Sequence, residues 1–535
     1  MNARRRLLSV GVLLVLAACS HAPSASPVPV VTAPQRAKSA AGDKIEHVVF
    51  IVQENRTFDN IFGGPNPLPG ADAVSFGQTS NGNVIPLKEV ELERPIFSGG
   101  DPNNYHFQWL TACNAPTPPP FPVGQPAPCR MNGFDENAEQ QTGYPKPVSV
   151  GTIYSYADRE EVEPYWFIAQ HYAVGDHFFM GHNSESYTAH QYIFSSQSHG
   201  TVDAPVYPSS ISCGLFHGFC AYEPWGCDSP PGTMMYLLNP QTAQWNGPPA
   251  APTGGEPCFG QNGGYPSIAD LAQAKGVSWR VYAYTMCSDI LGLDANFTIR
   301  HASPPLWPNP AAMAKCYTNY GVFTPLKANT PNFRAPQYTF LNDEAAGGKP
   351  LASITWILPG PYTSDHPGVP FGYCGPTWVA QVINAIGANA SDWNSTAIFV
   401  LWDDWGGFYD HVPPYVVRDQ TGPGFRVPLL VVSPYVNKGT VVHTNIEFAT
   451  LNKFVETTFG LGSLNATDTA PFLNNLNAFF NFNQSPQKFT PIPFPTSGYW
   501  RCKYLPDAHV RPGDAVKSRW VRTVGGMSSG DGDDD

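Results

Sequence analysis

Charged residues are scarce in this chain, whose 535 residues include only 30 Lys and Arg against 42 Asp and Glu. Charged side chains make up 13% of the sequence, about half the share usual for a soluble globular protein. The formal charge of -12 leaves no basic stripe for a phosphate backbone, which argues against nucleic acid as a partner. Aromatic residues also reach 13%, too many for a disordered chain. The composition therefore predicts an ordered body, and its many Gly and Pro predict long, shaped surface loops.

The N-terminus lacks an apolar run long enough to cross a bilayer, because the stretch from Leu7 to Leu16 is too short. Three arginines precede this run and Leu-Ala-Ala-Cys19 closes it, which is the layout of an export signal. Small residues before a cysteine are similar to the bacterial lipobox, in which that cysteine becomes the lipidated first residue. We predict a lipoprotein signal peptide at 1–19, a flexible tether at 20–43 and an exported protein anchored through Cys19 to a membrane of the bacterial cell envelope. An ordinary secretory signal is the alternative.

None of the 11 cysteines belongs to a C-x-x-C pair, so a zinc ribbon is not expected. Without Cys19 ten cysteines remain, and an even number in an exported chain favours disulfides. Cys113 and Cys129 flank a Pro-rich stretch that one bridge could close. Pairing cannot be read from the sequence, and free buried thiols are the alternative.

Short β-branched runs alternate with helical segments, which predicts an α/β fold around a mainly parallel sheet. Several runs are apolar throughout, as in strands covered on both faces. Helix signals include a cap at Ser267 with a terminal Gly276, and a capping box formed by Thr444 and Glu447. The predicted strands are at 46–52, 278–284, 353–358, 396–402 and 426–432, and the predicted helices are at 268–275, 378–386 and 445–459.

The organisation along the chain is that of one large domain. We predict a catalytic domain at 44–500, in which a loop-rich insertion at about 200–260 caps the sheet. A C-terminal extension at 501–535 ends in an acidic, solvated tail.

Polar clusters follow two of the most apolar predicted strands. Glu54 and Asn55 follow the first strand, and Asp403 and Asp404 follow the fourth. Ligands of open parallel sheets bind beyond the carboxyl ends of the strands. Carboxylate and amide oxygens are the ligands that a hard divalent cation prefers, and adjacent ionised carboxylates are costly without one. The four residues therefore predict a metal site, with a solvated strand end as the alternative.

Long motifs surround both clusters and continue elsewhere in the chain. They are Ile45–Gly63, Trp225–Asp228, Gly276–Arg280, Ser364–Pro367, Trp402–Val412 and Phe425–Pro428. Together they resemble the bacterial phosphoesterase family, which holds phospholipases C of the non-haemolytic and haemolytic type and a related acid phosphatase. The resemblance covers roughly 45–480. It implies an alkaline-phosphatase-like α/β/α sandwich, and it implies that the four residues of the two clusters hold an active-site divalent metal of unspecified identity.

The resemblance also implies a Ser or Thr nucleophile within a segment matched here by 176–190, which places it at Ser186. Metal coordination can lower the pKa of a hydroxyl and orient it towards phosphorus. Ser184 is a near competitor, and Thr-Ala-His at 188–190 stands where many relatives have Pro-Asn-Arg or Pro-Asn-His. The structural alternative is a helix N-cap, and that position also favours phosphate oxygens.

Histidines are expected to stabilise phosphate charge and to protonate the leaving alkoxide. His366 lies in Ser-Asp-His-Pro, His106 precedes a Met-Asn-Gly-Phe block as a family active-site histidine does, and His301 fits by order and spacing. A hydrogen-bonded structural histidine is the alternative for each. The roles of His190 and of His411, which adjoins the acidic loop, stay open.

These features predict an exported phosphoric ester hydrolase, phospholipase C-like or acid phosphatase-like, that works through a phosphoserine intermediate. The substrate is a phospholipid or a phosphomonoester, and the sequence does not decide between them. A non-catalytic surface lipoprotein that binds phosphorylated ligands is the alternative. A sulfatase is not supported, because the C-x-P-x-R block that sulfatases convert into their nucleophile is absent.

Overall fold

The computed structural model describes residues 41–92, 102–139, 148–206, 232–246, 265–283, 286–287, 316–317, 331–334, 337–345, 348–360, 363–367 and 374–495. The predictions for the signal peptide, for Cys19, for His301 and for the C-terminal extension lie outside these residues, as do most of the tether and most of the insertion at about 200–260. No helix within the described ranges is long and apolar enough to span a membrane.

The strands are rich in β-branched and aromatic residues, which fit a pleated, buried surface. In chain order they are β1 (His47–Gln53), β2 (Phe76–Gln78), β3 (Val84–Pro86), β4 (Lys88–Val90), β5 (Ser155–Ala157), β6 (Ala173–Gly175), β7 (Phe178–Phe179), β8 (Thr201–Val206), β9 (Met234–Leu237), β10 (Trp279–Tyr282), β11 (Met286–Cys287), β12 (Cys316–Tyr317), β13 (Phe333–Arg334), β14 (Ile354–Ile357), β15 (Thr396–Trp402), β16 (Leu429–Val432), β17 (Thr440–Val442) and β18 (Ile446–Glu447).

Eight of the described strands form the central sheet, in the order β13-β10-β14-β1-β15-β16-β6-β17. β1 pairs in parallel with β14 and β15, and β10 pairs in parallel with β13 and β14. β16 is the exception, because it runs antiparallel to both β15 and β6. Every residue of β15 is buried, so both faces at the centre of the sheet are covered. The predicted α/β fold with a mainly parallel sheet is confirmed.

Aromatic packing ties the three central strands together. Phe50 of β1 stacks on Trp356 of β14 and on Phe399 of β15, with ring centroids 5.9 and 5.7 Å apart. Such pairs add about 1 kcal/mol each beyond the burial of their area. This part of the sheet is therefore a firm base for whatever follows its strands.

The helices begin and end at recognisable cap residues. They are α1 (Phe58–Phe62), α2 (His106–Cys113), α3 (Phe134–Glu139), α4 (Val150–Ile153), α5 (Glu163–His171), α6 (Ser186–Ser195), α7 (Ile268–Lys275), α8 (Thr339–Glu344), α9 (Gly375–Ala388), α10 (Ala390–Trp393) and α11 (Phe448–Phe459), with 3-10 turns at Thr467–Thr469 and Asn477–Phe479. The predicted ends of α7 are confirmed, since Ser267 and Asp270 form a capping box and Gly276 closes the helix with φ 67°.

The predicted start of α11 at Asn445 is wrong, because the helix begins three residues later. Ile446 and Glu447 form strand β18 beside β7, so Thr444 cannot cap the helix. The helix begins at Phe448, and Thr450 Oγ1 accepts a hydrogen bond from Glu447 N at 3.2 Å. Glu447 pairs with the buried Arg418, which holds it in the extended conformation that precedes the helix.

A disulfide joins Cys113 and Cys129, a pairing that the sequence allowed and left open. Cys374 is also disulfide-bonded.

Candidate active site

Strand register brings the two predicted polar clusters together. Gln53 at the end of β1 pairs with Trp402 at the end of β15, so the following residues leave the same edge of the sheet. Asp403 N donates to Gln53 O at 3.0 Å, and Asn55 N donates to Asp403 Oδ1 at 3.2 Å. The separate sequence segments therefore form a single site.

A close backbone contact fixes the two turns that follow the strands. Asn55 has φ 63° and Gly406 has φ 61°, both in the left-handed region. A Cβ on Gly406 would lie 2.1 Å from the carbonyl oxygen of Asn55, so only glycine fits at this position. Asn enters this region more readily than most residues. The glycine of the Trp-Asp-Asp-Trp-Gly motif is thus required by the geometry of the site.

Asp404 is held by three donors. Its Oδ1 accepts from Gly406 N and from Asn104 Nδ2, both at 2.7 Å, and its Oδ2 accepts from Ser186 Oγ at 2.9 Å. Asn104 is in turn held by Trp405 Nε1, which donates to its backbone oxygen at 3.2 Å. Asn104 lies 300 positions from Asp404 and in none of the motifs, which is why sequence reasoning missed it.

Ser186 is the first residue of α6 and faces the acidic turns. Its Oγ lies 2.9 Å from Asp404 Oδ2 and 3.4 Å from Asn55 Oδ1. The N-cap of the helix is Glu185, whose side chain accepts from Tyr187 N, so Ser186 itself does not cap the helix. The competing hydroxyl of Ser184 donates to Asp203 Oδ1 at 2.7 Å and is buried. Of the two serines, Ser186 is the one that contacts Asp404 and Asn55.

His190 joins the site from the same helix. Residues four apart on a helix share a face, so His190 lies one turn beyond Ser186 and on its side. Ligand atoms of Glu54, His190 and Asp403 all lie within 4.8 Å of one another. The spacing of four residues could have assigned His190 to the site from sequence. We call Glu54, Asn55, Asp403, Asp404 and His190 the strand-end cluster.

The strand-end cluster has the electrostatics of a cation site. Burial, and then the charge of Asp403, raise the pKa of Glu54 and raise that of Asp404 well above its usual range. Asp403 Oδ2 is buried, and no hydrogen-bond donor in the described residues reaches it, although His190 Nε2 lies 3.4 Å away. Carboxylate, amide and imidazole groups beside such an oxygen are ligands that suit a divalent cation.

His366 borders the strand-end cluster through Asn55. Its Nδ1 lies 2.6 Å from Pro367 O, so Nδ1 carries a proton, and its Nε2 lies 3.2 Å from Asn55 Nδ2. Ser364, which sequence reasoning did not assign, donates to Glu54 Oε2 at 2.8 Å and accepts from His366 N at 2.9 Å. The Ser-Asp-His-Pro motif therefore contacts both Glu54 and Asn55.

His106 is buried beside the residues that precede Ser186 and does not border the strand-end cluster. Its Nδ1 lies 3.0 Å from Asn183 O, and its backbone N donates to Asp203 Oδ1 at 2.7 Å. Burial lowers its pKa, and the charge of Asp203 partly offsets that effect. Within the described residues His106 makes no hydrogen bond to the strand-end cluster. The structure thus places His366 at the strand-end cluster and His106 outside it.

A second acidic cluster lies near the first but has a different composition. Asp59, Asp410 and His411 bring ligand atoms within 4.8 Å of one another, and Arg426 lies among them. Arg426 is 3.3 Å from Asp59 and 3.1 Å from Asp410, and it is fully buried. His411 Nδ1 lies 2.6 Å from Asp59 Oδ2. We call these four residues the Arg426 cluster, and its ion pairs brace the loop that follows Asp404.

Known proteins match this chain along most of its length. The Phosphoesterase family matches residues 45–462, and the chain belongs to that family. Among its relatives, Phospholipase C B of Mycobacterium tuberculosis (strain CDC 1551 / Oshkosh) is 22% identical over 487 residues, which cover 84% of this chain and 80% of that protein. Non-hemolytic phospholipase C of Burkholderia pseudomallei is 29% identical over 289 residues, 46% of this chain and 40% of that protein.

A plant relative matches a shorter part. Non-specific phospholipase C6 of Arabidopsis thaliana is 37% identical over 133 residues, 21% of this chain and 25% of that protein. Family and relatives establish an ester-bond hydrolase that acts on phosphoric esters. The solved structure of Ps i-CgsB aligns over 58% of this chain and 70% of its own with a TM-score of 0.28 and 11% identity, which is too low to define the fold.

Proposed function

We propose that this protein is a phospholipase C-type enzyme that cleaves phospholipids at phosphorus through a metal-assisted Ser186 nucleophile. One observation carries the mechanism: Ser186 Oγ donates to Asp404 Oδ2 at 2.9 Å, within a buried carboxylate cluster in which Asp403 Oδ2 lacks a hydrogen-bond donor among the described residues. The names of the relatives supply the choice of a lipid diester over a phosphomonoester. The proposed frame is an alkaline-phosphatase-like α/β/α sandwich.

The strand-end cluster would hold a divalent cation, which lowers the pKa of a coordinated hydroxyl and polarises a phosphoryl oxygen. Asp404 and Asn55 orient Ser186 by accepting its hydroxyl at 2.9 and 3.4 Å. Asn104 and Gly406 fix Asp404, so that the serine is aligned before substrate arrives. These residues therefore position the serine, and positioning accounts for a large part of catalysis in phosphoryl transfer.

The proposed reaction has two steps. The Ser186 hydroxyl gives its proton to Asp404 and its oxygen forms a bond to phosphorus. The bond from phosphorus to the glycerol oxygen breaks, and that oxygen takes a proton from His366 and leaves as diacylglycerol. Water then gives a proton to His366 and attacks the phosphoserine, the bond from phosphorus to Ser186 breaks, the serine oxygen takes its proton back from Asp404, and the phosphorylated headgroup leaves. His366 is the proposed proton donor, and it must act through Nε2 because its Nδ1 is held on Pro367 O. His106 and His301 are proposed as further histidines that stabilise charge on the phosphate.

An assay of the purified full chain tests this function. The chain is stripped with a chelator, reloaded with single divalent ions, and offered phosphatidylcholine, phosphatidylethanolamine and p-nitrophenyl phosphate. We expect diacylglycerol release from at least one phospholipid, and a phosphopeptide containing Ser186 after acid quench. Hydrolysis of p-nitrophenyl phosphate alone would replace the diesterase by an acid phosphatase-like enzyme. A phosphopeptide carrying Ser184, or none with activity retained in Ser186→Ala, would contradict the nucleophile.

We also propose that the protein is exported and anchored by a lipid on Cys19. The support is the Leu-Ala-Ala-Cys motif, which lies outside the described residues. Mass spectrometry of the mature N-terminus tests the proposal, with Cys19→Ala as the control that should lose the lipid. An unmodified N-terminus downstream of Cys19 would contradict it.

A further inference from the structure

An uncharged surface adjoins the strand-end cluster. Residues 102–129 contain no Asp, Glu, Lys or Arg, in a chain that is 13% charged. Within this segment Tyr105 is 41% exposed, Phe107 is 46% exposed and Val123 is 58% exposed. Five of its prolines are also exposed: Pro116, Pro118, Pro120, Pro122 and Pro126. Apolar exposure of this kind marks contact with a partner or a membrane.

The segment is held firmly against the body of the protein. The disulfide between Cys113 and Cys129 closes it. Gly124 N donates to Val417 O at 2.8 Å, and Ala127 N donates to Pro414 O at 3.0 Å. The exposed apolar side chains are therefore presented on a fixed backbone, and their exposure is part of the folded structure.

The exposed aromatic pair is next to the site in the chain and in space. Asn104 donates to Asp404 at 2.7 Å, and Tyr105 and Phe107 follow it directly at the start of α2. His106, between them, is buried against Asn183. A surface that received Tyr105 and Phe107 would thus lie within a few residues of the carboxylates that orient Ser186.

We propose that Tyr105 and Phe107, supported by the uncharged segment 102–129, form a docking surface for the headgroup region of a zwitterionic phospholipid bilayer. Tyr and Phe side chains favour the membrane–water interface, where apolar faces enter by roughly 5–10 Å. The absence of charge suits a neutral lipid surface and leaves nothing to attract an anionic one. The proposal rests on the phospholipase function, because an enzyme that cleaves phospholipids must reach their phosphate groups, which lie in the headgroup region of the bilayer.

Vesicle binding tests the surface separately from catalysis. The full chain carrying Ser186→Ala and Cys19→Ala is sedimented with phosphatidylcholine vesicles, so that lipid is not consumed and the proposed lipid anchor takes no part in binding. Phe107→Ser and Tyr105→Ser should each weaken partitioning by about tenfold, and Phe107→Trp should preserve it. Binding should change little between about 0.1 and 1 M NaCl, because no charge takes part. The matched control is Phe76→Ser on β2, since Phe76 is 57% exposed and lies outside the segment.

The variants in the active background give the kinetic arm. Phe107→Ser should lower hydrolysis of vesicle phosphatidylcholine by about tenfold and leave hydrolysis of soluble p-nitrophenyl phosphorylcholine unchanged. No vesicle binding by the Ser186→Ala chain, equal losses in Phe76→Ser, or binding only to anionic vesicles that salt abolishes would overturn the docking surface. If Phe107→Ser loses vesicle binding but the wild type does not hydrolyse lipid, the docking surface stands and the proposed function is contradicted.

Discussion

Two buried acidic clusters draw their carboxylates from the same two stretches of the chain, and only one of them contains its own arginine. In the Arg426 cluster the guanidinium lies 3.3 Å from Asp59 and 3.1 Å from Asp410. In the strand-end cluster, Asp403 and Asp404 are paired with no Lys or Arg of the described chain; their partners are His190, Ser186, Asn104 and backbone amides. Both clusters are equally buried, so burial does not distinguish them.

The difference teaches how to separate a structural cluster from a cofactor site. Charge neutralised by an internal Arg stabilises the fold but leaves no open coordination. Burial, and then like charge left without a basic partner, raise the pKa of a carboxyl such as Asp404, and a cation from outside would relieve both effects. Both clusters offer carboxylates and an imidazole, so the position of one arginine decides which of them is the proposed metal site.

The largest expected effect is on the chemistry of the strand-end cluster. Ser186→Ala should lower turnover about 10³-fold or more, or about 4 kcal/mol of barrier, because the nucleophile is lost while the phosphate contacts remain. Steady-state kinetics on the substrate identified above provide the measurement. Ser184→Ala is the control, since that hydroxyl is engaged with Asp203, and it should retain most of the activity. Similar losses in both variants would contradict the assignment.

Removal of the internal cation is the next largest change. Arg426→Met should lower the free energy of unfolding by about 3 to 5 kcal/mol, because it leaves Asp59 and Asp410 buried without their cation. Urea denaturation measures this loss. Lys453→Met removes a half-exposed ammonium from the buried Glu456, which Leu464 N also holds, and should cost less than about 1 kcal/mol. A loss below about 1 kcal/mol in Arg426→Met would show that the cluster does not depend on the arginine.

A matched pair of charge removals compares the clusters directly. Asp404→Asn should weaken divalent metal binding by roughly 100-fold and leave the stability of the metal-free protein unchanged or higher, because like charge is removed. Asp410→Asn should leave metal content unchanged and lower stability, because Arg426 loses a partner. Elemental analysis after dialysis and thermal unfolding of the same samples give both values. Full metal content in Asp404→Asn would refute the ligand assignment.

The smallest expected effect is a pH dependence within the Arg426 cluster. Burial lowers the pKa of His411, but the hydrogen bond and charge of Asp59 outweigh it and raise the pKa from 6.5 to about 9. A raised histidine pKa stabilises the fold fully below about pH 6.5, and that contribution is lost as pH rises through about 9. We expect a loss of about 2 kcal/mol or less across this window, allowing for partial exposure.

Denaturation of wild type and His411→Asn at a series of pH values measures this contribution. The curve of the variant should be flatter between about pH 6.5 and 9. His171→Asn is the control, because His171 lies at the exposed end of α5. Parallel curves for wild type and His411→Asn would contradict the assigned role.

Residues fixed by local rules were predictable from sequence. Glu54, Asn55, Asp403 and Asp404 could be placed together because each pair directly follows a continuously apolar strand, and parallel strands end at one edge. The orientation of β16 could not be predicted, since the run Leu-Leu-Val-Val at 429–432 is equally apolar in either direction. The capping box at Thr444 was wrong because tertiary pairing of β18 competes with a local signal.

Residues that the fold brings from elsewhere escaped prediction. Asn104 reaches Asp404 across 300 positions, and Ser364 reaches Glu54 across 310, in contacts that no local pattern encodes. His190 differs from them, because its spacing from Ser186 was visible and only its partner was not. Sequence therefore predicts the ligands that strands present, and the side chains that orient these ligands need the tertiary structure.

The register between β1 and β15 also determines when the site can first exist. Asn55 and Asp403 are 348 positions apart, so neither half of the strand-end cluster can hold a cation during synthesis until the second strand has emerged and paired. A slip of one residue would turn alternate side chains to the opposite face and dismantle the cluster entirely. Uptake of the proposed cation would therefore report on completed folding, and a nascent or truncated chain that ends before residue 403 would lack half of the proposed site.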